Sequence, residues 1–106
     1  MMIRKASHCK AVLRGLVGDL IQYEKVQTTH HRAQELSRYA QHLLHRAKSG
    51  HHRELYQVLR NAGQCKKVLE VLLPRYQNRT GGMVQVVRIG TRRGDRATLS
   101  LVRLIP

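Results

Sequence analysis

The sequence predicts an α/β protein of the α+β type, with about four helices, a short strand after the first of them and a C-terminal β-hairpin, in the order α-β-α-α-α-β-β. Three observations support this fold class. Apolar residues recur at helical spacing in several stretches before Pro74. Two runs rich in Val, Ile and Leu, Met83 to Ile89 and Ala97 to Leu104, follow the paired glycines Gly81 and Gly82. Between those runs lies Gly90-Thr91-Arg92-Arg93-Gly94-Asp95, whose composition is that of a hairpin loop.

Each element has a local cause. Val12, Leu13, Leu16, Val17, Leu20 and Ile21 fall one, three and four residues apart and place one apolar stripe on a first helix. Ser7 is its expected N-cap. Gly15 and Gly18 each weaken that helix by up to ~1 kcal/mol relative to Ala, a cost that fits either close helix packing or close approach to a phosphate backbone. Tyr23 to Thr28 alternates and predicts a short strand, after which Thr28 or Thr29 can cap the next helix. That helix carries Ala33, Leu36, Ala40, Leu43, Leu44 and Ala47 on one face, with Lys48 in its last turn and Ser49-Gly50 as its stop. Leu55, Val58, Leu59 and Ala62 mark a shorter helix ending near Gly63. Val68, Leu69, Leu72 and Leu73 mark a fourth, closed by Pro74. Residues 75–82 then form a basic loop.

The 106 residues are 42 % hydrophobic, so a single domain spanning 1–106 with a small core is expected, its residues 1–7 forming a basic arm. No apolar run approaches the ~20 residues of a membrane-spanning helix, and no membrane insertion is expected. Lys and Arg number 20 against 6 Asp and Glu, a formal net charge of +14. This exceeds the roughly 2–8 that solubility asks for and implies a polyanionic partner. Arg outnumbers Lys 14 to 6, which favours phosphate and folded RNA because guanidinium offers a planar fork of donors. With no Trp, no Phe and four Tyr, platforms for stacking many unpaired bases are few.

Catalytic and metal chemistry find little support. Cys9 and Cys65 are far apart and lack the paired Cys-x-x-Cys of a zinc site, so they are expected as free thiols. The seven histidines, His30-His31 and His51-His52 among them, are expected on the surface near phosphate or sugar rather than around a metal. A His-dependent ribonuclease built on His30, His31 and Arg32 is the alternative from another class, as is a free basic nucleic-acid-binding protein. The six acids are scattered, which leaves metal-dependent nuclease chemistry without a carboxylate cluster. No catalytic residue, cofactor or small-molecule substrate is expected. Arg93-Gly94-Asp95 matches an adhesion tripeptide only by coincidence. Gly94 and Asp95 suit a turn, and Arg92, Arg93 and Arg96 make its tip cationic. Tyr76, between Arg75 and Arg79, is open to two uses, stacking on a base or packing against the fourth helix.

Several short motifs occur in a fixed order: Ser7-His8, Leu13-Arg14, Glu24-Lys25-Val26-Gln27-Thr28-Thr29, Ala33-Gln34-Glu35-Leu36, Pro74-Arg75-Tyr76, Arg79, Gly81-Gly82 and Arg92-Arg93-Gly94-Asp95-Arg96-Ala97. In this order they resemble the bacterial-type ribosomal protein seventeen family of the large subunit, over about Ser7 to Leu104. The resemblance implies that the short strand joins the hairpin in a small mixed three-stranded sheet. It also implies a structural role in translation, binding large-subunit rRNA beside neighbouring large-subunit proteins, near the exterior of the nascent-chain exit region. Where family members usually have Arg, Asn, an aromatic residue and Arg, this chain has Cys9, Gly15, Met83 and Gln85. These departures favour a mitochondrial ribosome, in the matrix, over a bacterial cytoplasmic one, and both over a plastid.

The expected RNA contacts form two groups. Arg4, Lys5, His8, Lys10 and Arg14 belong to the arm and first helix, with Arg32 and Arg38 on the wet side of the long helix. Arg75, Tyr76, Arg79, Arg88, Arg92, Arg93 and Arg96 belong to the loops and hairpin. The expected mechanism is counterion release combined with shape fit to folded RNA.

Overall fold

A computed structural model describes residues 6–59, 61–79 and 82–106, with side chains from residue 11 onward. The elements occur in the predicted order: α1 (Ala6–Tyr23), β1 (Lys25–Thr29), α2 (His30–Lys48), α3 (Arg53–Val58), α4 (Ala62–Lys67), β2 (Val84–Thr91) and β3 (Thr98–Leu104). A π-helical stretch (Val68–Leu72) and a last helical turn, α5 (Leu73–Arg75), prolong α4. The fold is α+β, as the periodicities predict.

The sheet is antiparallel throughout, which corrects the expected mixed sheet. Its strand order is β1-β3-β2. Since β1 and β2 both oppose β3, they point the same way, but β3 lies between them and no parallel pair forms. Val26, Val102 and Val86 stand in one row across the sheet, as do Lys25, Arg103 and Gln85 one residue along. Period-two alternation therefore sends the valines to one face and the cations to the other. At the far end of β2 the register slips between Arg88 and Gly90, leaving Ile89 as the extra residue of a bulge.

The six predicted stripe residues of α2, from Ala33 to Ala47, are all buried. They share one core with Val17, Leu20 and Ile21 of α1, with Leu55, Val68 and Leu72 of the later helices, and with Val102 and Leu104 of β3. Each fully buried leucine of this set contributes about 1.5–3 kcal/mol. Polar contacts then fasten strand ends to helices. Gln41 Oε1 on α2 accepts from the N–H groups of Met83 and Val84 at 3.2 Å each, which anchors the start of β2. Glu24 ends α1 in the left-handed region (φ 63°), and its carbonyl accepts from Leu104 N–H at 2.9 Å.

Several predicted boundaries move. Tyr23 ends α1 instead of opening the strand, so β1 runs over Lys25–Thr29, and Gly90 and Thr91, expected in the hairpin loop, extend β2. α1 starts at Ala6, so Ser7 lies inside the helix and not at its N-cap, and the helix takes the end of the expected 1–7 arm. Residues 1–5 of that arm lie outside the described residues. Ala62 and Gly63 belong to α4 rather than ending α3, because Asn61 is an N-cap whose Oδ1 accepts from Gly63 N–H at 2.8 Å. Gly63 permits this contact, since a Cβ there would stand 3.1 Å from the capping oxygen. Pro74 sits within the last helical turn rather than closing the helix before it. The preceding helix is widened to π geometry, with Leu73 N–H donating to Val68 C=O, and this relieves the clash that proline imposes on the turn before it. At the α2 start, Thr29 takes the extended N-cap conformation without donating or accepting a side-chain cap bond.

The two glycines of α1 separate in role. Gly18 is buried, and a Cβ there would stand 2.9 Å from Gln64 Oε1, so its use is helix packing. At Gly15 a Cβ would meet nothing within 4 Å among the described residues. Gly15→Ala is therefore expected to stabilise the protein by about 0.5–1 kcal/mol. Urea denaturation measures this, and an unchanged or lowered midpoint would contradict the open surroundings of Gly15.

Candidate nucleic-acid interface

The hairpin tip is held by its own hydrogen bonds. Arg92 N–H donates to Ala97 C=O (2.7 Å) and Arg96 N–H to Arg92 C=O (3.0 Å). The Arg92 guanidinium grips Asp95 with two nitrogens, Nε donating at 3.1 Å and Nη2 pairing with the second carboxylate oxygen. Asp95 also accepts from Ala97 N–H at 3.1 Å, so it is the clamp of the turn. Gly94 (φ 99°) and Arg96 (φ 57°) supply the left-handed backbone that the tight reversal needs. The Arg92 bonds, followed by Ala97 N–H, hold the Asp95 carboxyl well down, to about 2. Of the three predicted tip cations, Arg92 is thus committed internally, while Arg93 and Arg96 have no pairing carboxylate among the described residues.

The basic loop shows the same division. Arg75 pairs with Glu24 at 2.5 Å, and Lys67 reaches the other Glu24 oxygen at 3.3 Å. These two cations hold the Glu24 carboxyl below its ordinary 4.5, Arg75 being the larger cause. Tyr76 is 1 % exposed, and its hydroxyl donates to Ile105 C=O at 2.5 Å. A ring buried this way cannot offer a face to a base, so the expectation of Tyr76 as an RNA contact is corrected: it packs in the core. The Arg75 guanidinium lies 5.9 Å from its ring centroid. Arg79 is exposed, donates to Gly82 C=O at 2.9 Å, and its own carbonyl accepts from Lys48 Nζ.

On the helices, Arg38 is exposed and Arg32 half-buried. Arg14 is half-buried between α1 and α3, and its Nε is shielded from water without a hydrogen-bond partner among the described residues. An orphaned donor of this kind costs about 1–3 kcal/mol until an acceptor arrives. Arg4 and Lys5 lie outside the described residues, as do the side chains of His8 and Lys10. The structure brings Arg14 and Arg38 to one cavity, while the hairpin tip lies outside that cavity and is held by its own hydrogen bonds.

Several of the histidines have protein partners. His30 Nδ1 and the Ser100 hydroxyl are 2.8 Å apart, with Arg88 Nη2 at 3.4 Å from the other ring nitrogen. His31 meets Glu35 at 3.1 Å, and His52 meets Ala47 C=O at 3.1 Å. His30 and His31 therefore face different partners and do not share a site. Among the described residues no group of three His, Cys, Asp or Glu could hold a metal ion. Cys65 is a free, buried thiol bonded to Leu59 C=O at 3.2 Å, and burial raises its pKa. The sequence reading missed Lys25 and Arg103, which cross-strand register sets side by side on the outer sheet face. Period-two counting along each strand would have found them.

Comparison with known proteins adds the family. Residues 12–105 match ribosomal protein L17. The chain belongs to the ribosomal protein L17 family. Its relatives include the large ribosomal subunit protein bL17 of Endomicrobium trichonymphae, 39 % identical over 103 residues, which cover 94 % of this chain and 88 % of that protein. The bL17 proteins of Elusimicrobium minutum and Helicobacter hepaticus are each 33 % identical, covering 96 % of this chain and 90 % of theirs. L17 family members are structural proteins, and this chain is not an enzyme, which sets aside the ribonuclease alternative.

Two outcomes are expected. Tyr76→Phe should cost about 1 kcal/mol of stability, because it orphans Ile105 C=O, and should leave RNA affinity unchanged. Calorimetry with an RNA-binding assay checks both, and weakened binding in a folded variant would return Tyr76 to the interface. For Asp95 the folded pKa lies below the ordinary 3.8, so its clamp is fully present above that value and is lost as pH falls through about 2. NMR titration should give the Asp95 carboxyl a midpoint near 2, and Asp95→Asn should speed exchange of the Arg96 amide proton at neutral pH.

Proposed function

We propose that this L17-family chain is a structural constituent of the large ribosomal subunit, held there by its cations on folded rRNA. One observation carries the reading: most of the few acids are already engaged by the protein's own side chains. Of 6 Asp and Glu against 20 Lys and Arg, Glu24, Glu54 and Asp95 pair with Arg or Lys side chains of the same chain, and Glu35 meets the His31 ring. Among the described residues, Arg93 and Arg96 at the tip, Arg38 on α2, and Lys25 and Arg103 on the sheet are some of the cations that pair with no carboxylate. Phosphates of a folded RNA supply anions for them and release their counterions on contact.

On the family resemblance we extend the proposal to rRNA near the exterior of the nascent-chain exit region, with neighbouring large-subunit proteins as further partners. The departures at Cys9, Gly15, Met83 and Gln85 support a mitochondrial ribosome, and the bacterial relatives support a bacterial one. Probing large-subunit gradient fractions for this chain, from purified mitochondria or from bacterial lysate, separates the two.

The internal commitment of Arg92 decides which tip residues to test. Arg93→Gln with Arg96→Gln should leave the Arg92–Asp95 clamp and the hairpin intact. It should weaken rRNA binding and lower the salt slope by about 2, one for each lost phosphate contact. Wild-type affinity and wild-type incorporation into the large subunit by that double variant would remove the tip from the interface. Equal affinity of the unaltered chain for duplex DNA and structured rRNA would overturn the ribosomal RNA reading as a whole.

A further inference from the structure

β2 is an edge strand, because the order β1-β3-β2 bonds it to β3 on one side only. The ladder fixes which of its backbone groups are free. Ile105 N–H donates to Met83 C=O at 3.0 Å, whereas Leu104 N–H goes to Glu24 on the β1 side. Bonded and non-bonded pairs alternate in an antiparallel ladder, so Gln85–Arg103 and Val87–Leu101 are the bonded pairs of β2 and β3. Val84, Val86 and Arg88 therefore turn their N–H and C=O groups away from β3. Gln41 takes the Val84 N–H. The backbone groups of Val86 and Arg88 meet no partner among the described residues.

This edge is long and only lightly guarded. β2 runs over 8 residues without a proline, and Val87 and Ile89 are 39 % and 47 % exposed. An edge of this kind pairs with another chain unless charge or a bulge blunts it. The bulge at Ile89 confines regular pairing to the part from Val84 to Arg88. No strand of the sheet carries an acid. Arg88 reaches His30 Nε2 at 3.4 Å and pairs with no carboxylate among the described residues. Val87 and Arg88 are adjacent and so face opposite sides of the sheet. A strand laid along this edge meets an apolar side chain on one face and a cation on the other.

We propose that the free edge of β2 takes up, as a fourth strand, an extended segment of a neighbouring large-subunit protein in which apolar and acidic residues alternate. Its backbone completes the ladder at Val86 and Arg88, an apolar residue covers Val87, and an acidic one meets Arg88. The assignment rests on the large-subunit reading above and adds to it the surface and the chemistry of one partner. rRNA suits this edge poorly: phosphates accept from N–H groups but offer no donor to C=O groups, and they leave Val87 uncovered. A second copy of this chain brings its own charge of +14 and another Arg88.

The full chain is titrated by fluorescence anisotropy with a short synthetic peptide alternating valine and glutamate. Its N-methylated counterpart and a valine–lysine peptide are the controls, and NMR follows amide exchange in the same samples. The glutamate peptide should bind and slow exchange of the Val86 and Arg88 amide protons. N-methylation should weaken it about tenfold, because the ladder bonds are lost while the charge stays. Arg88→Glu should lose the glutamate peptide and take the lysine one. If circular dichroism shows that variant unfolded, the N-methyl comparison in the wild type decides. In gradient-purified large subunits, a photoreactive phenylalanine in place of Val87 should cross-link to a protein segment of alternating apolar and acidic residues. Equal binding of the N-methylated peptide would overturn the proposal, reducing it to charge attraction. A cross-link to rRNA would overturn it too, as would a dimer of the free chain with those two amides protected. Each of these results leaves the large-subunit reading standing. Absence of the chain from large-subunit gradient fractions would overturn that reading, and the neighbour with it.

Discussion

Burial of one α2 face against the inner side of the antiparallel sheet is the interaction on which the remaining structure depends. That face is made of Ala33, Leu36, Ala40, Leu43, Leu44 and Ala47, and small residues alternating with leucines let helix and sheet approach closely. α1 and the 62–75 helical run close over the same core from Val17, Leu20, Val68 and Leu72. Lys and Arg are rarely buried without partners, so once these faces meet, the cations have only the rim left. They lie on the outer helix faces, on the outer row of the sheet at Lys25 and Arg103, and in the loops. The cationic surface is thus a consequence of core packing as much as of composition.

A surface this positive needs local neutralisation wherever the backbone turns sharply. Glu24 shows how it is done. It ends α1 with a positive φ, gives its carbonyl to β3, and gathers Arg75 and Lys67 from the fourth helical run. Because those cations depress its pKa, this tie holds above the ordinary 4.5 and weakens as pH falls below it. Asp95 does the corresponding work at the hairpin tip. Each acid sits where chain direction changes, and each removes one arginine, Glu24 a lysine as well, from the set free to meet an external anion. The count of basic residues therefore overstates the interface, and the ion pairs show by how much.

Much of the fold was legible because local rules and tertiary packing agree in it. The α2 stripe, the Ser49-Gly50 stop and the Arg92 to Asp95 turn each follow from a single short-range cause. Legibility failed where two local signals competed. Gly63 reads as a helix stop, but Asn61 two residues earlier is a stronger helix start, and the cap won. Pro74 reads as a terminator, but a π-widened turn before it absorbs the ring. The sheet was expected to be mixed because sequence order does not reveal that β3 inserts between β1 and β2.

Taken alone, the sequence determined the class of fold, the positions of most elements, the charge and, through ordered motifs, the family. These are properties of composition, periodicity and neighbours within a few residues. The tertiary structure decided which side chains are free. Tyr76 looked equally suited to a base or to the core until Ile105, 29 residues away, claimed its hydroxyl. Arg75 was a loop cation until Glu24, 51 residues earlier, paired with it. Gly15 and Gly18 were indistinguishable until Gln64 closed on one and left the other open. Such distinctions rest on contacts between residues far apart in the chain, which no local pattern encodes.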